Sequence, residues 1–141
     1  MTKPVIGYTA GVYDLFHIGH LNLLKNARRM CDKLIVGVTT DRAAEYKNKK
    51  PFIPQDERME IVRAIKYVDE VVPQDDLDKM QAFHKYHFDI LFVGSDWQGT
   101  DKWNEYEREL AKYGARVVYL PYTKHTSSTI LQNTLKKFNN G

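Results

Sequence analysis

The sequence predicts an α/β fold: one doubly wound, five-stranded parallel sheet with helices on both faces. Five β-prone segments alternate with helical ones, the order that folds as a parallel sheet with crossover helices. One of them, Lys33–Thr39, is a near-continuous apolar run, as expected of a strand covered on both faces. Residues suited to chemistry follow the strand ends, where open α/β sheets bind ligands at the reversal of strand order.

Each element has its own local reason. Val5–Thr9 is a short β-prone segment, followed by a turn and a helix from about Gly19 to Met30. In that helix Leu21, Leu24, Ala27 and Cys31 recur at helical spacing, while Lys25, Arg28 and Arg29 face elsewhere. After the apolar strand, Gln55–Lys66 is a helix with Asp56 and Glu57 near its positive N-terminal end. Val68–Val72 is a strand stopped by Pro73, and Leu77–Tyr86 a helix leading into strand Ile90–Val93. A longer loop and a helix around Asn104–Tyr113 precede strand Ala115–Leu120, and the last helix runs from about Ser127 to Lys137. No repeat, low-complexity tract or linker intervenes, so residues 1–141 are expected to form a single domain.

Composition narrows the class. At 141 residues, 43% hydrophobic and 28% charged, the chain can bury one core as a globular protein. No apolar run approaches the roughly 20 residues of a membrane helix, and the N-terminus shows no signal peptide. The lone Cys31 rules out an internal disulfide and a cysteine zinc cluster, and reads as a small apolar residue. These features predict a cytoplasmic protein without a membrane partner. A formal charge of +3, not gathered into a stripe, argues against a nucleic-acid partner. The basic stretch Lys47–Lys50 falls in a loop, either as a solvated segment or as a cradle for a compact anion such as a triphosphate.

The central motif is Gly11-Val12-Tyr13-Asp14-Leu15-Phe16-His17-Ile18-Gly19-His20. Histidines three apart at a helix start share one side of the helix, and Gly19 leaves room for a ligand at the backbone. The helix N-terminus adds amide donors and positive potential, which suit phosphate. A metal pair lacks the four-residue spacing and glutamate of the helical zinc motif. The histidines could also cap the helix or sit in the core; the strand-turn-helix context favours nucleotide chemistry over both.

The motif resembles the HxGH signature of the nucleotidyltransferase superfamily. Lys66-Tyr67-Val68-Asp69-Glu70-Val71-Val72 looks like the [RK][YW]VDEV segment of its cytidylyltransferases, and Gly94-Ser95-Asp96-Trp97-Gln98-Gly99 like their G-D-DW-x-G loop. The resemblance runs from about Val5 to Leu131 in the same order, and implies a Rossmann-like fold and a homodimer, with Phe16 and the segment from Tyr46 to Phe52 as candidate interface. It implies that His17 and His20 bind the triphosphate and stabilise the transition state, with Lys47 and Arg58 completing the catalytic set. Thr9, Ala10, Gly11, Val12, Tyr13, Asp14, Gly94, Asp96, Tyr122, Thr123, Ser127, Ser128 and Thr129 would line the nucleotide. Asp41, Lys47, Lys49, Arg58, Lys66, Asp69, Asp96 and Trp97 would serve the acceptor. A purely structural reading would make Arg58 and Asp69 an ion pair and place Trp97 in the core.

The C-terminal signature departs from the family. Cytidylyltransferases carry RTxGxSTT; here Tyr122 replaces the arginine, His125 the glycine, and Ser128 the first of the two threonines, with Thr123, Ser127 and Thr129 retained. Lys124 supplies charge without the planar fork of arginine. The implied reaction is attack by an acceptor phosphate on the α-phosphorus of CTP, with glycerol 3-phosphate the leading acceptor. Mg2+ is expected with the triphosphate, held chiefly by phosphate oxygens and water with Asp14 and Asp96 as candidate ligands or supporting groups, and no dedicated metal site is expected in the protein. Phosphocholine or phosphoethanolamine would want an aromatic or anionic cage, for which Trp97, Trp103 and Tyr122 are candidates. Transfer to a sugar or polyol phosphate, an ATP-using adenylyltransferase, and a nucleotide sensor without turnover complete the range of functions compatible with these residues.

Overall fold

The computed structural model describes residues 3–121 and the helix 128–140, in the latter with side chains over 131–137. Five parallel strands, β1 (Ile6–Gly11), β2 (Lys33–Thr39), β3 (Glu70–Gln74), β4 (Ile90–Gly94) and β5 (Arg116–Leu120), lie in the order β3-β2-β1-β4-β5. The helices are α1 (Ile18–Arg28), α2 (Asp41–Tyr46), α3 (Gln55–Arg63), α4 (Lys79–Tyr86), α5 (Asp101–Ala111) and α6 (Ser128–Asn140), with a 3-10 turn at Ser95–Trp97.

Alternation along the strands builds two cores. Leu34, Val36 and Val38 of β2 join Ile90 and Phe92 of β4 on the side of Leu24, Ala27 and Val62 from α1 and α3. Ile35 and Leu91 face the other way, onto Ala82 and Phe83 of α4 and Trp103, Tyr106 and Leu110 of α5. Residues of opposite parity thus serve opposite faces, which is why β2 reads as an unbroken apolar run. Winding moves outward from β1 to β2 and β3, then returns to β4 on the other flank of β1. The crevice of a reversed strand order therefore opens between the carboxyl ends of β1 and β4.

Two local expectations are corrected. Pro73 lies inside β3, in register with Val38, rather than ending it. Strand β3 is an edge, and Gln74 O accepts from Thr40 N on the inner side. Neighbouring residues of a strand point their backbone groups to opposite flanks, so the missing N–H of Pro73 falls on the open flank, where nothing is lost. Helix α2 was not anticipated; Thr40 Oγ1 caps it by accepting from Ala43 N at 3.1 Å, and Asp41 begins its first turn.

At the amino edge of the sheet three aspartates hold strand starts. Asp32 accepts from Val5 N (2.6 Å), Asp69 from Leu34 N (2.7 Å) and Asp89 from Ile6 N (2.8 Å). Among the described residues no helix is long and apolar enough to cross a membrane.

Candidate active site

The two histidines are set by the chain turn that feeds α1. Tyr13 and Leu15 take left-handed conformations, φ 56° and 50°, unusual for bulky residues and found where surrounding structure imposes them. Tyr13 is buried, and its ring packs 5.3 Å from that of His20. His17 is the N-cap of α1: its Nδ1 accepts from Gly19 N at 3.0 Å, and Nδ1 of His20 accepts from His17 N at 3.2 Å. The rings stack with centroids 4.0 Å apart.

Those two bonds determine the tautomers. A ring nitrogen that accepts from an amide carries no proton, so each neutral imidazole has its N–H on Nε2. Burial, then the neighbouring charge of His17, pushes His20 down to about 4 against a raising contribution from Asp14; burial also lowers His17. At neutral pH the pair is two uncharged Nε2–H donors. The capping role is thus realised along with the shared side, and neither ring is fully buried in a core.

Asp14 and Arg58 build the walls. Asp14, 1% exposed, accepts from Phe52 N and Ile53 N, both at 2.9 Å, and from Gln132 Nε2 of α6 at 2.7 Å. It ties the histidine turn to the segment before α3 and to the last helix. Both its oxygens are engaged in these bonds. Among the described residues, no group of three or more His, Cys, Asp and Glu is placed to hold a metal ion.

Arg58, expected to face the phosphates, is fully buried instead. It donates to Ile53 O (2.8 Å), Val12 O (2.7 Å), Thr39 O (2.8 Å) and Asp41 Oδ1 (2.6 Å). Four bonds to four segments make it a positioning residue under the site. Its acid is Asp41, not Asp69, and Asp41 also exchanges hydrogen bonds with Gln55 across the start of α3.

Lys66 and Asp69 are corrected likewise. They precede β3 at the amino edge of the sheet, about a strand length (~15 Å) from the crevice. Asp69 pairs with Arg28 at 2.9 Å, and Lys66 Nζ sits 5.2 Å from the Tyr67 ring centroid. Thr9 is buried and donates from Oγ1 to Phe92 O at 3.0 Å, so its hydroxyl ties β1 to β4. Ala10, Gly11 and Val12 follow along the carboxyl end of β1, and Gly94 ends β4 with Asp96 exposed just beyond it. Trp97 is 49% exposed, so it is not a core residue. Tyr122, Thr123, Lys124, His125 and Ser127 lie outside the described residues; Ser128 and Thr129 begin α6, their side chains likewise outside.

Sequence reasoning placed Lys47 and Lys49 at the site but missed Lys79 and Lys102. Lys47 caps α2, and Asn48 turns left-handed (φ 56°) to bring Lys49 N back to Ala44 O at 3.0 Å. Desolvation, then Lys49 and Lys102, hold Lys47 below the usual lysine value. Lys79, the first residue of α4, is pushed down to about 8 by burial and then by Lys47 and Lys102, against Asp78 and Asp76. Lysines in the first turns of α4 and α5 oppose the helix dipole, and that cost is the sequence signal for them once helix starts are known. The crevice thus has a neutral imidazole pair under α1 and a group of crowded ammonium ions beside it.

The sequence profile of the cytidylyltransferase-like family matches residues 8–134. The chain belongs to this family. Among curated members it is 36% identical over 134 residues to the glycerol-3-phosphate cytidylyltransferase of Staphylococcus aureus, covering 94% of this chain and 95% of that protein. It is 36% identical over 138 residues to the ethanolamine-phosphate cytidylyltransferase of Arabidopsis thaliana, spanning 90% of this chain and 31% of that longer protein. A solved lipopolysaccharide core biosynthesis protein from Thermoplasma volcanium superposes with a TM-score of 0.73 at 27% identity, over 88% of this chain and 100% of that one. In this cytidylyltransferase-like chain the histidine turn, the Asp14 ties and the DW turn all fall within the matched span.

Proposed function

We propose that the chain transfers the cytidylyl group of CTP to glycerol 3-phosphate, giving CDP-glycerol and pyrophosphate. The observation that carries this is the imidazole pair, locked as Nε2–H donors at the mouth of α1 beside the β1–β4 crevice. The likeness to glycerol-3-phosphate cytidylyltransferase over nearly the whole chain supports the choice of acceptor.

The chemistry suits uncharged donors. An oxygen of the acceptor phosphate attacks the α-phosphorus, and the bond from that phosphorus to the bridging oxygen breaks, its electron pair leaving with pyrophosphate. The nucleophile is already an anion, so no base must remove a proton. Catalysis then rests on alignment and on donors aimed where charge gathers. His17 and His20 donate to the triphosphate oxygens, and Lys47, Lys49 and Lys79 neutralise the two phosphates brought together. Asp14 and Arg58 hold the turn and the lysine-bearing segment in register.

Magnesium, expected with CTP, would be held chiefly by phosphate oxygens and water and would help to neutralise the triphosphate, while the protein roles above belong to side chains. A cytoplasmic setting and a homodimer belong to the proposal, with exposed Tyr46 and Phe52 as candidate contacts. Light scattering reads the oligomeric state. The function itself is tested by incubating the protein with each nucleoside triphosphate and glycerol 3-phosphate. CDP-glycerol and pyrophosphate in equal amounts from CTP support it; hydrolysis without transfer, or a preference for ATP, contradicts it.

A further inference from the structure

We infer that Lys102, acting with Lys79, makes the acceptor pocket select phosphorylated alcohols whose remainder is neutral or anionic, and reject amino-alcohol phosphates. This rests on the proposed cytidylyl transfer and names the class of acceptor within it.

The first observation is a juxtaposition of two helix starts. Lys79 N, at the start of α4, donates to the hydroxyl of Tyr106 at 3.3 Å, and Nζ of Lys102, in the first turn of α5, lies 6.0 Å from the centroid of the same ring. Tyr106 thus couples the two lysine-bearing turns, at helix ends whose dipoles already favour anions. The crowding of the ammonium groups agrees with this placement, since Lys47 and Lys79 both feel Lys102.

The second is the state of the groups that would offset that charge. Asp78 uses Oδ1 to cap Met80 N at 2.9 Å, and Asp76 accepts from Asp78 N at 2.8 Å. An ammonium ligand wants an aromatic cage, but Trp103 and Tyr106 are 5% and 8% exposed and belong to the core. Of the described aromatic residues expected to build such a cage, only Trp97 is exposed. An acceptor carrying a cation next to its phosphate would therefore meet Lys102 without an aromatic cage, the nearby carboxylates Asp76 and Asp78 acting on Lys79. Repulsion between unit charges several ångströms apart at a partly solvated site corresponds to a selectivity of about tenfold or more. Lys102 is exposed, so its removal leaves the core untouched.

The test measures binding and turnover separately. Calorimetry with a non-hydrolysable α,β-methylene CTP analogue present gives the affinities of glycerol 3-phosphate and phosphoethanolamine for wild type, Lys102→Ala, Lys102→Glu and the control Lys112→Ala. Lys112 carries the same charge at the far end of α5, paired with Glu109. Wild type is expected to favour glycerol 3-phosphate, Lys102→Ala to compress that preference about tenfold, Lys102→Glu to compress it further, and Lys112→Ala to leave it unchanged. Affinity for the CTP analogue should stay within twofold throughout, which a merely structural role would not require. A preference in Lys102→Ala within twofold of wild type, or a wild type that favours phosphoethanolamine, overturns the inference. Lysine-dependent selectivity in binding without any cytidylylated product upholds it while refuting the transfer reaction.

Discussion

Replacing Arg58 by methionine keeps the bulk of the aliphatic stem and removes the guanidinium that joins Val12, Thr39, Ile53 and Asp41. Three backbone carbonyls lose a charged donor, at about 1.5–3 kcal/mol each in isolation. The losses do not add, and breaking a buried charged pair as a whole costs about 3–5 kcal/mol. Asp41 is 54% exposed and regains water, so the low end applies, about 3 kcal/mol. For a domain of this size that corresponds to roughly 10 °C in melting temperature. Lysine, a point charge with no fork, should recover less than half of it. Urea unfolding followed by circular dichroism measures the midpoint, and a titration with CTP measures what remains of the site. The expected result is a lower midpoint at unchanged slope, with CTP affinity and turnover falling together. A variant within 1 kcal/mol of wild-type stability that binds CTP normally yet fails to turn over would refute this, and would put Arg58 on the reacting phosphates.

Other outcomes follow from the same contacts. Lys79→Met should raise the melting temperature at pH 7 while increasing the KM for acceptor tenfold or more, since a lysine held near 8 instead of 10.5 destabilises the fold wherever it is charged; unchanged stability would mean that the ammonium is well solvated. Wild-type stability should fall as pH drops from about 6.5 toward about 4, because the unfolded chain takes up a proton that folded His20 refuses; His20→Asn should flatten that limb in thermal melts, and an unaltered limb would contradict the depressed value. Asp14→Asn keeps the shape but weakens three accepted hydrogen bonds; a loss of about 2 kcal/mol in urea unfolding is expected, whereas full stability would show the ties to be incidental. For Gly37→Ala, the new methyl would overlap the hydroxyl of Tyr8 and press on Gln74 Oε1 at 3.2 Å; a melting point unchanged within 1 °C would rule out that close fit.

The sheet was legible because its signals are local and periodic. Lys33–Thr39 is apolar throughout since both faces are covered, and the histidine motif declares its own strand-turn-helix context. Helix α2 was hidden by length, its six residues being too few to show a period. The position of Pro73 depends on which strand is an edge, and composition along one strand does not report that. The partner of Arg58 was misjudged for a related reason: Asp41 and Asp69 lie at comparable distances along the chain, but at opposite ends of the sheet. Lys79 and Lys102 are brought together through Tyr106, a tertiary contact between two helix starts that local sequence pattern does not report.

In the proposed reaction two neutral imidazoles at the start of α1 hold the triphosphate while another phosphate displaces its outer part. Phosphorus NMR of CTP and glycerol 3-phosphate, with wild type and with the His17→Ala/His20→Ala double variant at matched folded fraction, tests it most directly. Wild type should convert the CTP signals to a CDP-glycerol diphosphate and pyrophosphate one for one, and the double variant should be slower by about a thousandfold or more. Turnover by the double variant within tenfold of wild type would contradict it.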